Sequence, residues 1–161
     1  MSITSMPAGS SAMRLRAWYV AARAALESIP LWSIQFAMRI AIGAVFLKSG
    51  VLKLTSWEFA IKLFEEEYKV PLLDPTVAAW LATFNEIVFS ILLFLGLATR
   101  LATLPLIGMV LVIQVFVYPQ AWNEHLLWAS VLVFLLARGP GSLSLDHWIE
   151  QSLAARSARL A

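Results

Sequence analysis

The chain has 161 residues, of which 60% are apolar and 14% charged, with a net charge of +2; typical soluble domains run at about 45–50% and about 25%. Such a chain has room for one domain, is too apolar to be disordered, and lacks the basic surface on which nucleic acid binds. Cysteine is absent, which excludes a disulfide, a thiolate nucleophile, a Cys-ligated metal and an iron–sulfur cluster within this chain.

Residues 1–13 carry no charge and no long apolar run; they are expected to be disordered and do not read as a cleavable signal peptide. Residues 14–30 read as an interfacial helix, with Leu15, Trp18, Tyr19, Ala22 and Leu26 able to face lipid. The clearest span follows Arg100, where 23 residues without a charge run to Glu124, enough to cross about 30 Å of hydrocarbon. Four spans are expected in all, at about 32–52, 76–97, 100–118 and 121–137. Pro71, Pro75, Pro119 and Gly139-Pro140-Gly141 punctuate them, while Pro105 sits inside the third as a mild kink. The fold class is therefore an all-α integral membrane protein, an antiparallel four-helix bundle with short interfacial helices, occupying residues 31–146.

Tight turns join the second, third and fourth spans. The first connection is longer, and in it Trp57, Ile61, Phe64 and Tyr68 recur at helical spacing against a charged face, which predicts a short helix lying on the membrane surface. Residues 147–161 are expected to form a C-terminal interfacial helix or tail, with Asp146 as its N-cap. Arg14, Arg16, Arg23, Arg100, Arg138, Arg156 and Arg159 fall on one side of the four spans. Lys53, Lys62 and Lys69, mixed with five acids, fall on the other. Basic residues in short loops stay in the cytoplasm, so both termini are expected inside. That topology puts His125 and His147 on opposite sides, which excludes a bis-His haem.

Ionisable groups within a bilayer are costly and face the bundle interior. At ~1.5 Å per residue from the inner boundary, Lys48 lies about 24 Å up the first helix and Glu86 and Asn85 about 21 and 22 Å up the second. Gln114 lies about 21 Å up the third, and Glu124 and His125 about 21 and 20 Å up the fourth. All four helices thus offer a polar side chain at one level. Arg39, about 10 Å up the first helix, is expected to reach Glu86, with Lys48–Glu124 as the next pair. Gln114 fits an interhelical hydrogen bond. Arg39, Lys48, Asn85, Glu86, Gln114, Glu124 and His125 are the candidate ligand-pocket residues. No metal site and no covalently bound cofactor is expected.

The stretch Arg39-x3-Gly43-x2-Phe46-x3-Gly50-x2-Lys53, Glu86, Leu95-Gly96-Leu97-Ala98-Thr99-Arg100, and the ending Gly139-Pro140-Gly141-Ser142-Leu143-Ser144-Leu145-Asp146 together resemble the DoxX family of small bacterial membrane proteins. The resemblance covers about residues 32–146. It implies a four-helix inner-membrane protein associated with redox systems, because the family takes its name from a small subunit of a thiosulfate:quinone oxidoreductase. The leading expectation is a membrane subunit that is no enzyme by itself, docks a soluble redox partner and lets quinone approach the polar layer. Glu86 or His125 would handle the proton, and Arg39 or Lys48 would stabilise the reduced anion. The alternatives are a small-solute or proton transporter, for which a homo-oligomer would be needed, and an anchor or assembly factor whose polar layer only locks the helices.

Overall fold

The computed structural model describes residues 9–160, all of whose regular elements are helices. The chain divides into two compact units between Leu31 and Trp32. In the first, α1 runs over Gly9–Glu27, with its side chains exposed from Ser11 onward except the half-buried Ala22, and an Arg23–Glu27 ion pair at 2.7 Å. Residues 9–13, expected to be disordered, are therefore helical, and the remainder of that stretch lies outside the described residues.

The second unit holds α2 (Leu31–Thr55) from its second residue on, α3 (Trp57–Leu63), α4 (Pro75–Leu95), α5 (Thr99–Val112), α6 (Trp122–Arg138) and α7 (Leu145–Leu160). Local chemistry sets several of the boundaries. Asp74 caps α4 by accepting from the backbone N–H groups of Thr76 and Val77 at 2.9 and 3.2 Å, with Pro75 at the first helical position. Gly96 stops it in the left-handed conformation, φ 65°. Pro105 is absorbed within α5, which continues as a π-helical turn over Ile113–Val117. A second π-helical turn, Phe64–Tyr68, extends α3.

Ile42 and Phe46 of α2, Leu93 of α4, Ala102, Leu106 and Val110 of α5, and Leu132 and Leu135 of α6 form one core. Gly43 and Gly50 let α2 approach α4 closely: a β-carbon would fall 2.8 Å from the Phe94 ring at the first and 2.7 Å from Ile87 Cγ1 at the second. Since residue numbers rise along α2 as they fall along α4, the two helices are antiparallel.

Among the described residues, three helical stretches are long and apolar enough to cross a membrane: Leu31–Thr55, Pro75–Leu95 and Thr99–Val117. The expected fourth span, α6, has 17 residues and falls short of them in length. The connection helix also departs from expectation. Much of its apolar stripe is turned to protein: Phe64 is buried with Ala78 and Ala79 of α4, and Trp57 and Tyr68 pack on that cluster, while Phe59 is left exposed. Asp146 does not cap its own helix. Ser144 does, its hydroxyl accepting from the His147 N–H at 3.2 Å. The Asp146 carboxylate instead accepts from the Ala98 and Thr99 N–H groups at 2.6 and 3.0 Å, so it caps α5 from a distance of 47 residues along the chain.

Candidate functional site

A cavity of about 420 Å³ opens among α2, α4, α5 and α6 and is closed over by the π-helical turn after α3. Phe46, Phe64, Met109 and Trp128 give it apolar walls, while Ser49, Lys53, Asn85, Glu86, Glu124 and His125 bring polar groups to it. Four of the seven candidate residues therefore share one hollow.

Glu86 is 4% exposed, and burial of a carboxylate in an apolar wall demands compensation. Lys53 supplies it, with its ammonium 2.8 and 2.9 Å from the two carboxylate oxygens. The Ser49 hydroxyl donates to Oε1 at 3.0 Å and itself accepts from Lys53 at 2.7 Å. The expected Arg39–Glu86 pair does not form. Lys53, read from sequence as an outer-loop charge beyond the end of the first helix, is the partner because α2 runs on to Thr55.

Arg39 is fully buried, at the other end of α2. Its guanidinium donates to the carbonyls of Leu93 at 3.1 Å, Phe94 at 3.5 Å and Leu143. The first two belong to the last turn of α4, where the helix dipole is negative; the Leu93 carbonyl also accepts from the Gly96 N–H at 3.1 Å. One turn earlier Gln35 treats α6 alike, donating to the Arg138 and Gly139 carbonyls at 3.2 and 3.1 Å. Gly96 is required beside this clasp, since a β-carbon there would stand 2.1 Å from Arg39 Nη1.

Lys48 is exposed and lines no part of the cavity, and among the described residues it makes no ion pair. The expected Lys48–Glu124 pair is absent, and Glu124 stands exposed at the cavity wall. Lys48 and Ser49 are successive residues on a helix that turns about 100° per residue, so only one of them can face Glu86. Asn85 lines the cavity while its amide donates back to the Leu81 carbonyl at 2.8 Å.

Gln114 lies outside the lining and acts through His125. Its Nε2 donates to the Pro119 carbonyl at 2.9 Å, which fixes Oε1 as the acceptor facing His125 Nδ1 at 2.7 Å. A neutral imidazole so held carries its proton on Nδ1 and leaves Nε2 as an acceptor. The interhelical hydrogen bond expected of Gln114 thus sets the tautomer of a histidine that is 4% exposed.

Two tyrosines, unremarked in the sequence as site residues, close the outer wall. The rings of Tyr68 and Tyr118 meet edge to face at 5.6 Å, and the Tyr118 hydroxyl donates to Glu67 at 2.5 Å. Burial, foremost, pushes both phenols above their ordinary value; in Tyr118 the hydrogen bonds to Glu67 and Tyr68 add to the rise. Phenols with raised folded values stabilise the fold fully below the unfolded value of about 10, and that contribution is lost as pH rises through the folded values. A spectrophotometric titration at 295 nm should show two of the three tyrosines ionising late, together with loss of helical circular dichroism. Ionisation of all three near pH ~10 with the fold intact would contradict this arrangement.

The DoxX family model matches residues 34–119, a stretch containing α3, α4, α5, most of α2, the ion pair and Gln114. Neither the comparison with curated proteins nor the comparison with solved structures gives a match. The match covers more than half of a chain with three helices of membrane-spanning length and apolarity, and we conclude that this is a membrane protein of the DoxX family.

Proposed function

We propose that the chain is a four-span inner-membrane subunit whose cavity admits a quinone from the bilayer and exchanges protons with it. The observation that carries this reading is an apolar hollow of about 420 Å³ with a cation, a carboxylate and an imidazole in its walls, within the usual range of about 300–1,000 Å³ for small-ligand sites. A quinone head group is a flat apolar ring with two carbonyl acceptors. The aromatic and aliphatic walls take the ring, and the Lys53 ammonium is the donor for a carbonyl that becomes anionic on reduction. Lys53 thus fills the role expected of Arg39 or Lys48.

Reduction of a benzoquinone to the quinol takes two electrons and two protons. His125, accepting at Nε2, and Glu86 are the two groups that relay protons. The electrons come from the redox cofactor of a docked partner, because this sequence carries no cofactor motif. In this reading α6, at 17 residues and about 26 Å, completes the fourth crossing, and the arginines of the shorter loops hold both termini in the cytoplasm.

Equilibrium binding of a short-chain benzoquinone to the purified full chain tests the proposal. Glu86→Gln and His125→Ala should each weaken binding at least tenfold, the loss of about one good polar contact in a buried site, whereas Lys48→Gln should leave it unchanged. Undiminished binding to both cavity variants would refute the quinone site. Because the Lys53–Glu86 pair is satisfied wholly within the protein, a purely structural lock is the competing reading. It requires that these variants melt earlier while quinone binding is absent from every form of the protein, including the parent.

A further inference from the structure

A second hollow, of about 560 Å³, lies at the other end of α5 and α6, among Arg100, Arg138, Gly139, Ser142, His147 and Glu150. Arg100 and Arg138 are exposed, and among the described residues neither side chain makes an ion pair or a hydrogen bond. Asp146 in the wall makes no ion pair with them; both its oxygens accept from the N–H groups that open α5. Glu150, also exposed, is the other acid in the wall. His147 Nε2 is met by Gln151 at 2.9 Å.

The setting is as informative as the charges. Arg100 stands in the first turn of a stretch long enough to span a membrane, and Arg138 is the last residue of α6. Both therefore stand at helix ends, where a span meets the headgroup layer. In the wall of the hollow Leu101 leaves 68% of its surface uncovered. An exposed apolar side chain beside two arginines that line one hollow suits a molecule with an anionic head and hydrocarbon chains. The planar fork of arginine matches phosphate oxygens two at a time.

We propose that this hollow binds the phosphate diester of an anionic phospholipid, with Arg100 and Arg138 holding the phosphate and Leu101 lying against an acyl chain. The site is independent of the quinone cavity and shares no residue with it.

The test uses the full chain in detergent micelles doped with phosphatidylglycerol, phosphatidylcholine or neither, with bound lipid counted by native mass spectrometry. Phosphatidylglycerol should bind in preference to phosphatidylcholine. Arg100→Gln and Arg138→Gln should each weaken it about fivefold and the double variant about thirtyfold, as expected for two basic residues at a charged surface. Lys48→Gln, an exposed cation elsewhere on α2, should have no effect, and sodium phosphate at the same concentration should not compete. The single variants keep the test decisive should the double variant fail to fold. Equal binding by the arginine variants, an equal loss in Lys48→Gln, or displacement by inorganic phosphate would each overturn the proposal, the last by making the ligand a free anion.

Discussion

Replacing Arg39 by Met should lower the melting temperature of the purified chain by about 10 °C, taking ~2–4 °C per kcal/mol for a protein of this size, with no change in ligand affinity at the cavity. The guanidinium is fully buried and bonds three carbonyls, those of Leu93, Phe94 and Leu143. Two of them close α4 and the third lies in the segment leading into α7, so one side chain ties α2 to two distant pieces of backbone. Methionine fills most of the volume but donates nothing; the Leu93 carbonyl keeps the Gly96 N–H, while the Phe94 and Leu143 carbonyls lose the donor that Arg39 supplies, at about 1–3 kcal/mol each. Lysine should rescue only part of the loss, because one ammonium on a flexible stem cannot reproduce the fork. Thermal melting in a single detergent measures the effect. A fall of less than ~2 °C, under about 1 kcal/mol at this size, would mean that water or the chain itself satisfies those carbonyls without the arginine.

The second large effect concerns the ion pair. Lys53→Met leaves the Glu86 carboxylate 4% exposed with Ser49 as its remaining donor, and breaking one half of a buried pair costs about 3–5 kcal/mol. Melting should therefore fall by at least as much as for Arg39→Met. The double variant Lys53→Met/Glu86→Met should recover most of the loss, because removing both charges abolishes the desolvation penalty instead of exposing it. Lys48→Met, four residues past Ala44 on an exposed face, should melt like the parent. If the two single losses simply add in the double variant, Lys53 and Glu86 are not energetically coupled, and the geometry of the pair does not describe the protein in detergent.

Much of this architecture was legible because in lipid a backbone must satisfy its own hydrogen bonds. Long apolar runs then have one conformational solution, and Asp74-Pro75 and Gly96 mark the ends of α4 where capping chemistry predicts. Depth was legible too: a fixed rise per residue brought Asn85, Glu86, Glu124 and His125 to one level, and they line one cavity. Rotation about each axis was harder to read. Arg39, Gly43, Phe46, Gly50 and Lys53 recur at steps of three and four residues, so they trace a single stripe along α2. All but Lys53 are buried, and Lys53 is half-buried. That stripe was the available signal that Lys53, and not Lys48, faces α4. It also shows why Arg39 misses Glu86: Arg39 shares a face with Lys53 but lies about 21 Å away along the axis.

The sequence by itself determined that this is a helical membrane protein, where α4 starts and stops, and which of its polar groups share a level, since composition, capping and rise per residue act locally. Only the tertiary structure decided who meets whom. It gave Glu86 to Lys53, Arg39 to the carbonyls of α4, Asp146 to the start of α5, and much of the face of α3 to protein in place of lipid. The physical reason is that a buried charge takes whichever partner helix packing brings within about 3 Å, and packing is settled by the glycines, bulky rings and turns of the whole chain acting together.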